Sequence, residues 1–254
     1  FTENSSDGSQ SFAVIGIDPA SGKWTWWTFR SDGSVSTIRI SEKQIGPNEY
    51  AGRLTGTDGK PSGTYTAKFV GRDRLEITAD AQIDGRPLPK EQVWERDGAG
   101  APADLTSAAP DEVPRGMSVI AAIGPNGRVH GQMAEGTKFR GVTSTRWILG
   151  GHFRRHSRAL LIGDQASGAL VSILGIDPTT GKATGWEWNS EGGVAKFVIT
   201  PDGKSLVGTY HDGDGNAMQF EGKFTVEQDS TVKYTAIGKF EDGEPKPYEF
   251  IFEQ

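Results

Sequence analysis

The residues best suited to chemistry crowd between Lys138 and Arg158. This stretch holds Lys138, Arg140, Arg146, Arg154, Arg155 and Arg158 with His152 and His156, and no acidic residue. Guanidinium groups and imidazoles gathered in this way suit an anion such as a carboxylate or a phosphate, bound by charge-assisted hydrogen bonds. The same set also suits proton transfer, with His152 or His156 as acid or base and Arg154 holding an oxyanion. A metal on His152 and His156 alone fails on distance. Four residues along one face of a strand are about 13 Å apart, too far to share an ion.

Read as one strand, the stretch sends Arg146, Ile148, Gly150, His152, Arg154, His156 and Arg158 to one side. Trp147, Leu149, Gly151, Phe153 and Arg155 go to the other. The plain reading puts Trp147, Leu149 and Phe153 on a core and leaves the polar set solvated, paired with carboxylates nearby. The sharper reading makes Gly150–Gly151 a bulge that switches faces. His152, Arg154 and His156 then point inward and form a ligand site, flanked by Arg146 and Arg158.

A second candidate is aromatic. Trp24, Trp26, Trp27 and Phe29 lie within six residues, and an exposed pair of such rings would stack on a sugar or a partner. Asp212-Gly213-Asp214-Gly215-Asn216 opens like a calcium loop. Its sixth position is Ala217 and its twelfth Lys223, so a hairpin turn is the better reading. There is no Gly-x-Ser-x-Gly elbow, phosphate loop or dinucleotide fingerprint. The chain has no cysteine, which removes disulfides and thiolate chemistry. No cofactor and no metal are expected.

The elements that position these residues follow from a repeat. Val14-Ile15-Gly16-Ile17-Asp18-Pro19-Ala20-Ser21-Gly22-Lys23 returns 159 residues later as Ile173-Leu174-Gly175-Ile176-Asp177-Pro178-Thr179-Thr180-Gly181-Lys182. The match continues through Trp27 and Trp186, Phe29 and Trp188, and Gly33 and Gly192. Trp27 and Phe29 are therefore expected in a shared core. Trp24 and Trp26 become Ala183 and Gly185, so neither is needed for it. The 35 glycines and 13 prolines punctuate short apolar runs that alternate like strands, with no convincing amphipathic helix. This predicts an all-β fold: antiparallel barrel units in tandem duplication.

The copies are unequal. At that offset Phe1 falls opposite Leu160, so the first unit lacks counterparts of residues 115–159. Its exposed edges predict pairing with the second unit or a homodimer, in a parent protein that has been truncated or processed. The expected division is a first β unit over 1–98, a linker over 99–114 poor in aromatic residues, and a complete barrel over 115–254. A net charge of −6 argues against nucleic acid, and no apolar run is long enough for a membrane-crossing helix. Nothing in the sequence fixes a compartment.

Trp26-Trp27-Thr28-Phe29-Arg30-Ser31-Asp32-Gly33 with Asp84-Gly85-Arg86-Pro87-Leu88-Pro89 resembles a bacterial lipocalin-like domain of unknown function. Arg146-Trp147-Ile148-Leu149-Gly150-Gly151, Gly175-Ile176-Asp177-Pro178 and Trp186-Glu187-Trp188-Asn189-Ser190 are similar to the same domain. That family often follows a SnoaL-like domain. The resemblance implies a calycin-type barrel of about eight to ten strands whose interior holds a small ligand. The leading expectation is a non-catalytic module binding a small anionic or amphipathic molecule, or an interaction scaffold. The alternatives are a hydrolase- or isomerase-like enzyme using His152 or His156 with Arg154, and a carbohydrate binder using Trp24 and Trp26.

Overall fold

The computed structural model describes residues 2–4, 10–71, 74–83, 85–88, 90–95, 106–227, 231–241 and 243–253. Two compact units emerge, one formed by residues up to 105 apart from two short turns, the other from residue 106 onward. Residues 99–105 of the expected linker, Asp84, Pro89 and Asp242 lie outside the described residues.

The first unit is an open antiparallel sheet. Its strands are β1 (Thr2–Asn4), β2 (Gln10–Asp18), β3 (Lys23–Arg30), β4 (Val35–Gly46), β5 (Glu49–Thr55), β6 (Pro61–Phe69), β7 (Arg74–Ile83), β8 (Arg86–Pro87) and β9 (Glu91–Glu95). Each pairs with the next in chain order through β8, and β9 returns to pair with β7. Trp26, Ile38, Ile40, Leu54, Tyr65 and Ile77 form the core on one face.

The second unit is a closed barrel. After the short helix α1 (Ser118–Ala121) come β10 (Asn126–Gln132), β11 (Lys138–Ile148), β12 (Phe153–Ile162), β13 (Gln165–Ile176) and β14 (Ala183–Asn189). β15 (Val194–Ile199), β16 (Ser205–His211), β17 (Ala217–Val226), β18 (Val232–Phe240) and β19 (Lys246–Glu253) complete it. Every neighbouring pair is antiparallel, and β19 closes on β10 with Val129 opposite Phe252. The described end of the expected linker is bonded to the barrel: Thr106 bridges to Ile148, and the Ser107 amide donates to the Trp147 carbonyl.

The repeated segment folds the same way twice. In each copy the glycine amide closes on the aspartate carbonyl at 2.8 Å, Gly22 on Asp18 and Gly181 on Asp177. Both glycines are left-handed, at φ of 63° and 66°, the conformation that favours glycine after an Asp-Pro turn start. Thr25 and Thr184 each donate to the lysine carbonyl two residues back at 3.1 Å. Asp177 also accepts from the Thr179 amide at 2.9 Å, the turn-capping role its position before proline implies.

The shared aromatic pair is not in the barrel interior, as the repeat had suggested. Glu187 and Asn189 line the lumen, so their strand neighbours Trp186 and Trp188 point outward. Lys196 Nζ lies 5.7 Å from the Trp186 ring on that outer side. Likewise Trp27 and Phe29 are buried on the face opposite Trp26 and its core. Asp212–Asn216 is the hairpin turn expected. Its Asp212 carboxylate accepts from the Asp214 and Asn216 amides and is held below the usual carboxylate range, chiefly by the Asn216 side chain.

Glycines inside the barrel make room for rings. A Cβ at Gly185 would run into the Phe197 ring, and one at Gly222 into Tyr234. Gly185→Ala should therefore destabilise the barrel by about 1–3 kcal/mol through overpacking. Gly16→Ala, where an added Cβ meets nothing within 4 Å, should stay within about 0.5 kcal/mol. Urea unfolding midpoints of the two variants check the contrast.

Candidate functional site: the barrel lumen

The Leu149–Gly151 turn decides where the basic residues go. Leu149, Gly150 and Gly151 all have positive φ, at 54°, 68° and 84°. Two adjacent glycines accept this readily, whereas for leucine it is uncommon. The chain reverses there. What reads in sequence as one strand is a hairpin, β11 and β12, with Trp147 opposite Arg154. Alternation restarts after the turn, so Trp147 on β11 and Arg154, His156, Arg158 and Leu160 on β12 all face the lumen.

These side chains sit at successive depths. Apolar residues around α1 close one end: Met117 and Ile120 pack on Trp147, Leu174, Phe197 and Leu206. Val119 and Ile123 pack on Val129, Phe139, Val232 and Phe252. Arg154 is 6% exposed at this floor, its Nη2 donating to the Ile123 carbonyl and its guanidinium 5.4 Å from the Trp147 ring centre. One step up, His156 is 7% exposed. Its Nδ1 lies 2.9 Å from Thr145 Oγ1, and its ring stands edge-on to Phe252. Next comes Arg158, whose guanidinium lies 4.8 Å from the Phe250 ring centre and whose Nη2 donates to Glu187 at 3.4 Å. Ser172 donates to the same Glu187 oxygen at 2.7 Å.

Cross-strand register builds this polar strip. Thr145 pairs with His156, His156 with Ser172, and Ser172 with Glu187, one on each of β11, β12, β13 and β14. The facing wall is aromatic, from Phe220 and Phe224 on β17 through Tyr234 on β18 to Tyr248 and Phe250 on β19. Between them is a cavity of about 430 Å³. Toward the other end it is lined by Gly168, Ala169, Ser190 and Glu191, with the Asn189 amide donating to the Tyr210 hydroxyl at 3.0 Å.

At its deep end the lumen favours an anion, since Glu191 adds a second carboxylate only toward the other end. Deep in the lumen two guanidinium groups, Arg154 and Arg158, face one carboxylate, Glu187. The Nε atoms of both arginines are buried without a hydrogen-bond partner. Burial draws Arg154 down to about 10, still charged at neutral pH. Burial, reinforced by Arg158 and Arg154, pushes His156 down to about 3. It is therefore a neutral hydrogen-bonding group near neutral pH and a weak base. Burial together with the Glu187 charge raises the Tyr234 phenol well above its usual range.

The candidate residues read from sequence separate clearly. Arg154, His156 and Arg158 share the lumen, so for these three the solvated reading is replaced by the inward one. Arg146 is exposed on the outer face of β11, and His152 is exposed just after the turn. Trp26 belongs to the core of the first unit, while Trp24 is 40% exposed. Core burial of Trp26 means that Trp24 and Trp26 do not form an exposed pair. Among the described residues no cluster of three or more metal-binding side chains occurs. Ser172, Glu187, Thr145 and Tyr234 went unread. Glu187 carried a usable signal: it is an acid between two tryptophans where the first copy has Thr28.

No family model matches the chain, and no curated protein does either.

Proposed function

We propose that the closed barrel is a lipocalin-like ligand-binding module, one of two tandem-duplicated units, that takes a small amphipathic anion into its lumen. The observation that carries this reading is Arg158: a guanidinium with an unsatisfied Nε, beside an apolar cavity of about 430 Å³. Cavities of this size, mainly apolar with a few convergent polar groups, suit small organic ligands. A buried unpaired donor on a cation gains more from a carboxylate or sulfonate than from water.

An enzymatic use of His156 with Arg154 has less support, because a base held near 3 is poorly matched to proton abstraction at neutral pH. The test is fluorescence titration of the full chain with anilinonaphthalene sulfonate, alongside native mass spectrometry for retained ligand. Arg158→Met, which keeps the length and removes the charge, should weaken the dye by at least about tenfold. Equal affinity in the variant, or no binding by the wild type, would overturn the reading.

A further inference from the structure

The lumen is two-sided along its length, and this bears on the shape of its occupant. A linear amphiphile needs one polar cluster at one end of an apolar tube. Here two of the polar groups have an aromatic ring beside them at their own depth: Arg158 lies 4.8 Å from Phe250, and His156 5.7 Å from Phe252. The aromatic rings are also continuous, with Phe224 to Tyr234 at 4.7 Å, Tyr234 to Phe250 at 6.0 Å and Phe250 to Phe139 at 5.0 Å. Such a wall offers stacking and edge contacts to another ring system.

The polar strip makes a matching demand. Arg158 Nε is a donor without an acceptor. Glu187 Oε2 takes the Ser172 hydroxyl and Arg158 Nη2, while Oε1 accepts from none of the described residues. A buried donor without an acceptor therefore lies next to a carboxylate oxygen still open to a donor, on β12 and β14, the two strands that flank β13, and on one side of the cavity. Two unlike requirements this close are met together by one edge of one molecule.

We infer that the lumen takes a flat ring system carrying an anionic oxygen and, on the same edge, a hydroxyl or N–H, with Arg158 holding the anion, Glu187 accepting the donor, and the β17–β19 rings covering the face. This rests on the ligand-binding reading above and narrows it to a ligand class: hydroxylated aromatic acids and their heterocyclic equivalents. Linear aliphatic acids fit the charge and leave both the Glu187 oxygen and the flat wall unused.

The experiment compares three probes on the full chain by calorimetry: a naphthoate with a hydroxyl meta to its carboxylate, the naphthoate without the hydroxyl, and laurate. The hydroxynaphthoate should bind at least about tenfold tighter than either of the others, the gain expected when a hydrogen bond to a charged acceptor is added. In Glu187→Gln the advantage over plain naphthoate should shrink to about threefold or less, since a neutral amide oxygen is the weaker acceptor. A far-ultraviolet spectrum and an unfolding midpoint confirm that the variant folds, and Ser172→Ala, which frees the Glu187 carboxylate without removing it, should keep the advantage. Laurate binding as tightly as the hydroxynaphthoate overturns the inference while leaving the ligand-binding reading in place. So does a hydroxyl advantage that survives in Glu187→Gln. Binding of none of the three overturns both.

Discussion

Lowering the pH from about 7 to about 4 should remove on the order of 2–3 kcal/mol of barrel stability through His156 alone. The imidazole is held near 3 in the folded chain, against an ordinary value of 6.5. Below about 6.5 the unfolded chain binds a proton that the folded chain refuses, so stability falls with falling pH. The contribution is complete above the ordinary value, declines through the acid range and levels off only below the folded value. The groups facing His156 explain the refusal. Arg154 and Arg158 flank it on its own strand, Thr145 meets Nδ1 from β11, and Phe252 covers it from β19. His156→Gln can still meet the Thr145 hydroxyl and has no titration in this range. Its loss of stability between the two pH values should be smaller than that of the wild type by this amount, measured by urea unfolding at each pH. Equal losses would mean that His156 protonates freely in the folded barrel. A carboxylate bound beside Arg158 would offset part of the arginine field, so saturating ligand should reduce the loss in the wild type and leave the variant unchanged.

The strands and turns were legible because their rules are local. The Asp-Pro-x-x-Gly turn specifies a left-handed glycine, and it folds identically at Gly22 and Gly181. The alternation of Trp24 to Arg30 reads directly as the strand β3. Which face is inside was harder. The repeated spacing of Trp27 and Trp186 marked a shared surface, and sequence periodicity cannot distinguish the inner from the outer face of a closed sheet when both bury aromatics. The basic stretch shows the same limit. Its division into two strands depends on three successive left-handed residues, and only Gly150 and Gly151 signal this; Leu149 gives no hint. Glu187 joined the site through partners 15 and 29 positions away, Ser172 and Arg158. Register between strands is set by the whole barrel, so these partners could not be read from local pattern. Composition pointed toward an anion site, and the lumen supplied the acid and the aromatic wall that shape it.

Trp147→Ala should destabilise the barrel by about 3–5 kcal/mol, the range for truncating a large buried aromatic side chain. The ring is 7% exposed and packs with Met117, Ile120, Leu174 and Ala183, so it joins α1 to the barrel wall. It also carries the face on which the Arg154 guanidinium rests at 5.4 Å. Truncation thus opens a cavity under a buried cation and removes the ring that partly compensates it, and cation–π contacts of this desolvated kind contribute about 2 kcal/mol. Trp147→Phe keeps a ring in place and should cost less than half as much. Two measurements separate a lost floor from general unfolding. The urea midpoint should fall while the denaturant slope stays at the wild-type value, because the rest of the barrel still folds cooperatively. Indole added to Trp147→Ala should restore part of the midpoint in a concentration-dependent way, since a dry apolar cavity binds a ligand of the shape it lost. Full-size destabilisation with no indole response would mean that α1 leaves the barrel when Trp147 is cut. The closed end of the lumen, and with it the position of Arg154 below the ligand, would then depend on this one side chain.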